Sequence, residues 1–398
     1  MPGFEVFGQE ERKQVQDVLE TGVLFRYGFD GARKGHWKAK TFEEELAARL
    51  GVSYCHLCAS GTAALSLALA ASGIGAGDEV IVPPFTFVAT VEAVLLAGAV
   101  PVFSEIDETL CLAPDALSEK LSDKTRAVLP VHMCGAMARI DAIADFCRDH
   151  DLVLIEDACQ SLGATYGGKA VGTFGKMGCF SFDPVKTVTC GEGGAVVTDE
   201  EDLYRSADAF ADHGHDHIGS DRGKERHPIL GTNFRISELN AAVGVAQLRK
   251  LDWMLETQRR HRDRIKEAMA GFRGLSFREI PDEAGDSATF LSFFLPDGQK
   301  ARQAAAALNE AGADGSFYWY DNNWHYIRQW DHLKDLRCAA RLPLALYDQC
   351  PDYGAVALPR SDGVMARAIS MQIKLTWTEA DLQQRAEAVN RVLTQVLG

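Results

Sequence analysis

The sequence has no long uninterrupted hydrophobic run. Its longest apolar stretch, residues 91–103, is interrupted by Gly98 and Pro101, whereas a membrane-spanning helix needs about 20 consecutive apolar residues. The opening residues MPGFEVFGQEER also lack the basic segment and apolar core of a secretory signal. We therefore expect a cytoplasmic protein without a membrane partner.

A surplus of positive charge is also missing. The chain has 41 Lys and Arg against 56 Asp and Glu, which gives a formal net charge of -15. This balance argues against broad binding to nucleic acid or to anionic membranes, although a local basic pocket for a small anion remains compatible with it. Hydrophobic residues make up 46% and charged residues 24% of the chain, which is typical of a globular protein with an ample core.

The chain contains no complete metal-binding motif. Its ten cysteines lie mostly in apolar segments and are interpreted as reduced core residues. Cys55 and Cys58 have the spacing of zinc ligands, but no matching second pair follows them. His213, His215 and His217 alternate on a loop; this pattern suits either a metal or ordinary hydrogen bonding, and we favour the second. No metal is expected.

Predicted strands and helices alternate through the first half of the chain. The predicted strands that set this pattern are residues 53–57, 79–82, 100–103, 125–132 and 152–156. The alternation predicts an α/β protein with a parallel or mixed sheet, whose ligands bind beyond the carboxyl ends of the strands. A long predicted helix, residues 237–271, leads into a smaller α+β unit. At 398 residues the chain is expected to form two domains, residues 1–250 and 251–398.

One lysine stands out by its position. Lys186 lies between two apolar runs, so flanking strands would hold it still and remove part of its hydration. A lysine in that setting is a candidate covalent nucleophile. Asp157 follows another predicted strand, 29 residues earlier, and is either a helix cap or an acid at the same sheet edge. Ser60, Gly61 and Thr62 open a helix, whose free N–H groups suit a phosphate. A pyridoxal phosphate site needs three such parts: a lysine that bonds to the aldehyde, an acid that pairs with the pyridine nitrogen, and a helix start that binds the phosphate.

These motifs resemble the DegT/StrS-type sugar aminotransferases, which have the aspartate aminotransferase fold (fold type I). The matching stretches are residues 60–65, 83–90, 131–135, 156–160, 181–186, 191–194 and 231–242. The resemblance implies a large domain built on a mixed or parallel seven-stranded sheet, followed by a small C-terminal α+β domain. It also implies a pyridoxal-phosphate-dependent transaminase.

The resemblance assigns roles to individual residues. It implies that Lys186 bonds to the cofactor and shuttles protons, and that Asp157 pairs with the pyridine nitrogen. It further implies the following cofactor contacts: Gln160 to the ring hydroxyl, Phe87 stacked on the ring, and Gly61, Thr62 and Ser181 to the phosphate. Asn233 would reach the phosphate of a partner subunit, so the resemblance implies a homodimer with shared active sites.

Several segments depart from the usual family pattern, and they bear on the substrate. These segments are residues 25–27, 213–217, 317–326 and 370–377. They resemble the family members that aminate the 8-aldehyde of the free sugar acid Kdo, giving 8-amino-Kdo for lipopolysaccharide, with glutamate as the implied donor. The candidate substrate residues are Arg26, Tyr27, His215, Trp324, His325 and Lys374, and the candidate carboxylate partners are Arg26, Lys34, Arg222 and Lys374. A nucleotide-linked keto sugar is the alternative substrate, and a degenerate cofactor-binding regulator is the non-enzymatic alternative.

Overall fold

The computed structural model describes residues 3–219, 221–348 and 350–398. In these ranges the α-helices are α1 (Gln9–Thr21), α2 (Lys38–Leu50), α3 (Gly61–Ala71), α4 (Ala89–Leu96), α5 (Ile140–Asp149), α6 (Glu201–Ala211), α7 (Glu238–Leu248), α8 (Leu251–Ala268), α9 (Gly298–Glu310), α10 (Asp331–Lys334), α11 (Pro359–Met365) and α12 (Glu379–Leu397).

The strands of the same ranges are β1 (Tyr54–Cys58), β2 (Glu79–Val82), β3 (Val100–Phe103), β4 (Thr125–Val128), β5 (Val153–Asp157), β6 (Thr165–Tyr166), β7 (Lys169–Ala170), β8 (Met177–Ser181), β9 (Gly194–Thr198), β10 (Ser276–Phe277), β11 (Phe290–Phe294), β12 (Ser316–Tyr318) and β13 (Ala368–Gln372).

A mixed sheet of seven strands forms the centre of the protein. Its order is β1-β9-β8-β5-β4-β2-β3. Strands β8, β5, β4, β2 and β3 pair in parallel, whereas β1 and β9 run antiparallel to each other, and β9 runs antiparallel to β8. All residues of β8 and β9 are buried, as expected for strands covered by helices on both faces. The predicted α/β class and seven-stranded sheet are therefore confirmed.

A second sheet lies in the C-terminal part of the chain. It has four antiparallel strands in the order β10-β11-β13-β12. Its apolar face packs against helices through a core that includes Ile265, Leu308, Phe293, Ile369 and Val389. This arrangement matches the predicted α+β unit.

One C-terminal stretch packs against the core of the large sheet instead. Tyr326, Ile327, Trp330, Leu344 and Tyr353 belong to the same buried cluster as the residues of β2 and β4. The proposed domain division at residue 250 stays a prediction, but packing does not follow chain order across it.

The long helix predicted over residues 237–271 is wrong in one respect. The chain forms α7 and α8, which are separated at Arg249 and Lys250. Lys250 donates backbone and side-chain hydrogen bonds at this break: its N–H bonds to the Gln247 carbonyl, and its ammonium bonds to the Val6 carbonyl and to Glu11. The apolar pattern continues across the break, so the sequence carries no sign of it.

A distant carboxylate lies at the start of helix α2. Helix α2 starts at Lys38 because the Glu238 carboxylate accepts hydrogen bonds from the N–H groups of Lys38 (2.6 Å) and Ala39 (3.4 Å). A carboxylate at a helix N-terminus is favourable, and this one comes from 200 residues away in the chain. Between β3 and β4, two short 3-10 turns occupy residues 114–116 and 118–120.

Membrane-spanning character was also tested on the folded chain. Within the three described ranges, no helix is both long enough and apolar enough to cross a bilayer.

Candidate active site

The ends of neighbouring strands bring the predicted catalytic residues together. Strands β5 and β8 run parallel, and Asp157 at the end of β5 pairs with Cys179, two residues before Ser181 ends β8. Lys186 lies in the turn that follows β8, and helix α3 begins at Gly61 after β1. Because these ends meet at one edge of the sheet, their side chains open into a single cavity of about 500 Å³.

Nine of the sequence-predicted site residues line this cavity. They are Gly61, Thr62, Phe87, Asp157, Gln160, Ser181, Lys186, Trp324 and His325. Their individual roles stay predictions, but the fold gathers them from five separate stretches of the chain.

Asp157 is the most enclosed acid of the cavity, with an exposed fraction of 4%. Its Oδ1 accepts a hydrogen bond from the Cys159 N–H at 3.1 Å, and its Oδ2 accepts one from the Thr90 hydroxyl at 2.8 Å. A carboxylate oxygen has room for two acceptor contacts, so both oxygens keep capacity for a further donor. This suits an acid that must hold a protonated ring nitrogen.

Gln160 and the start of α3 supply hydrogen-bond donors. The Cys134 N–H donates to Gln160 Oε1 at 3.1 Å, which leaves the amide NH₂ as the free end. Ser60 Oγ accepts from the Ala63 N–H at 3.1 Å, so the earlier N–H groups of Gly61 and Thr62 remain available at the helix start.

Lys186 is held through its backbone. Its N–H donates to the Asp183 carbonyl at 3.1 Å, and its own carbonyl accepts from the Gly3 N–H at 2.9 Å. No carboxylate in the described ranges forms an ion pair with its ammonium. Burial lowers the pKa of His325 to about 3, and the charge of Lys186 acts in the same direction, so His325 is neutral at ordinary pH.

An aromatic wall, residues 317–326, closes one side of the cavity. Two backbone bonds attach it to the neighbouring segment: Thr86 N–H to the His325 carbonyl and Val88 N–H to the Trp324 carbonyl, both 2.9 Å. The Phe87 ring lies 5.6 Å from the Trp324 ring and 5.5 Å from the His325 ring. These contacts place the wall over the ring that was predicted to stack on a cofactor.

The hydrogen bonds of Asn322 fix the protonation of His325. Asn322 Oδ1 accepts from the Trp324 N–H and also lies 2.9 Å from His325 Nδ1. Since the amide oxygen can only accept, Nδ1 carries the proton and Nε2 is left as an acceptor.

Two of the predicted substrate residues are engaged elsewhere. Arg26 bonds to the Leu57 carbonyl at 2.6 Å and to Glu43 at 2.7 Å, and Tyr27 donates to Asp208 at 3.0 Å. Neither side chain lines the cavity of its own chain. Internal carboxylates pair with both groups in this chain, and their role as substrate contacts stays a prediction.

The remaining predicted residues also lie outside the cavity. His215 Nδ1 lies 2.9 Å from Glu225, Lys374 Nζ lies 2.9 Å from Asp314, and Asn233 pairs with the backbone of residue 212. For His215 and Lys374 the role as substrate residues stays a prediction. For Asn233 the prediction concerned a partner subunit, and it stays a prediction.

The other two candidate carboxylate partners have local acceptors. Lys34 Nζ donates to the Glu20 carbonyl at 3.1 Å, and the Arg222 guanidinium donates to both oxygens of Asp212 at 2.7 Å. Neither lines the cavity. The histidine loop belongs to this network, and no group of three or more possible ligands among the described residues could hold a metal ion.

Sequence reasoning assigned no role to several residues of the cavity, among them Thr90, Phe290 and Gln372. Thr90 lies inside a motif that was recognised but had no assigned role, and its bond to Asp157 is visible only in the fold. Phe290 and Gln372 reach the cavity from β11 and β13 of the small sheet, and nothing in their local sequence indicates this.

These residues fit pyridoxal phosphate. The cavity offers a lysine, a buried carboxylate, a free amide donor and a helix start. Close packing also brings the helix start against Ser181, because a Cβ on Gly61 would lie 2.7 Å from Ser181 Cβ.

Comparison with known proteins agrees with this geometry. The model of the DegT/DnrJ/EryC1/StrS aminotransferase family matches residues 6–390. The chain belongs to this family. Family members depend on pyridoxal phosphate, and the named relatives are aminotransferases, so the protein is a pyridoxal-phosphate-dependent transaminase with the predicted fold type I architecture.

Individual relatives in this family act on different substrates. The chain is 36% identical over 287 residues to a GDP-perosamine synthase of Vibrio cholerae, which covers 72% of this chain and 73% of the relative. It is also 36% identical over 311 residues to an L-glutamine:2-deoxy-scyllo-inosose aminotransferase of Streptomyces paromomycinus, with 75% and 72% covered. The solved structure of an aminotransferase from Psychrobacter cryohalolentis superimposes with a TM-score of 0.84 at 28% identity and covers 98% of both chains.

Proposed function

We propose that this protein transfers an amino group from glutamate to the 8-aldehyde of a free Kdo-type sugar acid and so produces 8-amino-Kdo. One observation carries the catalytic part: Lys186 and Asp157 share a cavity that the aromatic wall closes. The choice of sugar rests on the segments that depart from the usual family pattern, residues 25–27, 213–217, 317–326 and 370–377.

Each residue has a defined task in this proposal. When bound, pyridoxal phosphate supplies an electron sink for charge that develops on the carbon bearing the amino group. The Lys186 amine moves a proton to and from that carbon, and Asp157 holds the proton on the ring nitrogen. The Gln160 amide donates to the ring oxygen, while Phe87 and Trp324 exclude water.

The size of the cavity favours a small sugar. Its volume of about 500 Å³ must hold both cofactor and substrate, and pockets for a single drug-sized ligand already have roughly 300–1,000 Å³. A nucleotide would therefore extend beyond it. Among the described lining residues Lys186 is the sole cation, whereas diphosphates are usually bound by several arginines or lysines.

The same charge pattern constrains how a sugar acid would bind. None of the four candidate cations lines the cavity within one chain, as described above. The carboxylate at C1 lies at the opposite end of the carbon chain from the reacting C8. We therefore expect it at the mouth of the cavity rather than beside Lys186.

A nucleotide-linked keto sugar is the second candidate. It is favoured by the relatives, since one of them is named for a GDP-linked sugar. The donor has an alternative too, because another relative is named for L-glutamine. Glutamate and glutamine therefore both belong in the test.

A substrate screen by mass spectrometry separates these candidates. The holoenzyme is incubated with each donor and with 8-oxo-3-deoxy-octulosonate, a GDP-linked keto sugar, a UDP-linked keto sugar or a keto cyclitol, with Lys186→Ala as the control. Amine product from the first compound supports the proposal. No product from it, together with product from a nucleotide-linked sugar, would overturn the proposal in favour of the second candidate. Borohydride reduction followed by peptide mapping should label Lys186, and a label on any other residue contradicts its role.

We further propose a cytoplasmic homodimer with shared sites, in which Asn233 of each chain serves the other. The described cysteines are all free, which fits a reducing compartment. Lys186→Ala and Asn233→Ala are each prepared alone and then mixed with subunit exchange. If the two residues act across the interface, a mixed dimer regains one intact site, so random mixing restores about a quarter of wild-type activity. If both residues act within one chain, mixing restores nothing.

A further inference from the structure

Two buried threonines connect Asp157 to the aromatic wall. The Thr90 hydroxyl lies 2.8 Å from Asp157 Oδ2, and the Thr86 and Thr90 hydroxyl oxygens lie 2.6 Å apart. Both threonines are fully buried, and both line the cavity of Lys186. Buried hydroxyls are normally hydrogen-bonded. Here the two hydroxyls form a chain that ends on the carboxylate of Asp157, so it can be worked out which group donates to which.

The direction follows from the number of protons available. An ionised carboxylate only accepts, so the single Thr90 proton points to Asp157. The bond between the two hydroxyls, at 2.6 Å, then takes the Thr86 proton, with Thr90 Oγ1 as a closer acceptor than the Phe87 carbonyl at 3.3 Å. Thr86 polarises Thr90, which strengthens the bond that Thr90 donates to the acid.

The chain of bonds continues into the substrate side of the cavity. The Thr86 N–H donates to the His325 carbonyl at 2.9 Å, so the residue that starts the hydroxyl chain is anchored on the aromatic wall. On its other side, the second oxygen of Asp157 accepts the Cys159 N–H at 3.1 Å, and no other described residue donates a hydrogen bond to it. Without Thr90, the carboxylate keeps one weaker contact within the chain and can rotate about its Cβ–Cγ bond.

We propose that Thr90 is a positioning residue for Asp157, itself oriented by Thr86, and that the pair sets how firmly Asp157 holds the proton on the ring nitrogen. The inference rests on the role of Asp157 in the proposed function. Thr90 touches neither substrate nor the reacting carbon in this account, and it acts only through the acid.

The test uses the holoenzyme in the first half of the reaction, without any sugar. Thr90→Val removes the donor at nearly constant volume, Thr90→Ser keeps it, and Thr86→Val removes only the outer hydroxyl. Thr109→Val is the matched control, because Thr109 is also fully buried and donates to an aspartate, Asp107, outside the cavity. Three quantities are measured: the rate at which the donor converts the bound cofactor, the pH midpoint of the cofactor's visible absorbance, and the thermal unfolding of the apoprotein.

We expect a selective effect of Thr90→Val. The conversion rate at saturating donor falls about 10-fold, as for the loss of one hydrogen bond to a charged group, with little change in donor KM. The absorbance midpoint shifts by about half a pH unit. Thr90→Ser restores both values, and Thr109→Val lowers only the unfolding temperature. Thr86→Val changes rate and midpoint in the same direction but less, and it adds nothing in the double variant.

Clear results would overturn the inference. If Thr90→Val reacts and titrates like the wild type, Thr90 does not position Asp157. If Thr90→Val does not fold, Thr86→Val decides instead, and wild-type values in it also overturn the inference. Failure of the proposed function appears differently, as a wild type that completes the donor half-reaction but aminates no sugar acid.

Discussion

Replacing Gly61 by alanine is the most direct test of where the cofactor phosphate binds. A Cβ at this position would lie 2.7 Å from Ser181 Cβ, 3.0 Å from Ser181 Oγ and 3.2 Å from Cys159 Sγ. Non-bonded carbon atoms prefer about 3.5–4.0 Å. The helix start must therefore move away from Ser181 by about 1 Å.

Two free-energy contributions of opposite sign decide how much the Gly61→Ala substitution costs. Alanine stabilises a helix relative to glycine by about 1 kcal/mol, whereas overpacking a well-packed site costs about 1–3 kcal/mol. Because the displaced groups are the predicted phosphate contacts, we expect the net cost to appear in cofactor binding. A net cost of about 1.4 kcal/mol raises the Kd of pyridoxal phosphate about tenfold.

The assay is a titration of the apoprotein with pyridoxal phosphate, followed by absorbance, with thermal unfolding measured in parallel. Gly363→Ala in α11 is the matched control, because a Cβ there meets nothing within 4 Å. That variant should bind the cofactor normally and be slightly more stable. If Gly61→Ala binds pyridoxal phosphate as tightly as the control, the phosphate does not lie against this helix start and the reasoning is refuted.

Three further predictions concern the fold, its pH dependence and the substrate. Glu156→Gln should lower the free energy of unfolding by about 2–3 kcal/mol in urea, because this fully buried carboxylate accepts three backbone N–H bonds and an amide NH₂ would oppose one of them; an unchanged urea midpoint would contradict it. Burial lowers the pKa of His217, but bonds to Asp208 (2.8 Å) and Asp212 (3.0 Å) outweigh it and raise the pKa above its usual range. The stability that protonated His217 adds is thus complete below about pH 6.5, the pKa of an unfolded histidine, and is lost as pH rises through the folded pKa. The free energy of unfolding of the wild type and of His217→Gln, measured across pH 5–9, should therefore converge as pH rises. A constant difference between the two proteins over this range would contradict the prediction. Trp324→Ala should raise the KM for the sugar several-fold and leave thermal unfolding of the apoprotein nearly unchanged, because the 57% exposed ring lines the cavity mouth. If the variant and the wild type have equal KM values, Trp324 does not contact the substrate.

The catalytic part of this protein was predictable because its signals are local. Lys186, Asp157 and the Ser60–Thr62 helix start each follow a strand, and the carboxyl ends of parallel strands in one sheet meet at one edge. The alternation of strands and helices was therefore enough to predict that these residues lie close together. The family follows from the same short motifs.

The substrate side was not predictable in the same way. Arg26 and Lys374 were proposed from residue type alone, and their partners, Glu43 and Asp314, lie 17 and 60 residues away. A cation carries no mark in the sequence that shows whether a carboxylate of its own chain has already paired with it. Tertiary contact therefore decides whether it is free to bind a substrate.

The sequence by itself determined the fold class and the cofactor, and it predicted which lysine and acid share a cavity, because each depends on strand order and on motifs a few residues long. The tertiary structure alone decided that Glu238 begins helix α2, that Thr90 donates to Asp157, and that Phe290 and Gln372 of the small sheet reach the cavity. These contacts join segments from 67 to 200 residues apart in hydrogen-bonded pairs, and only folding to a unique packing specifies them.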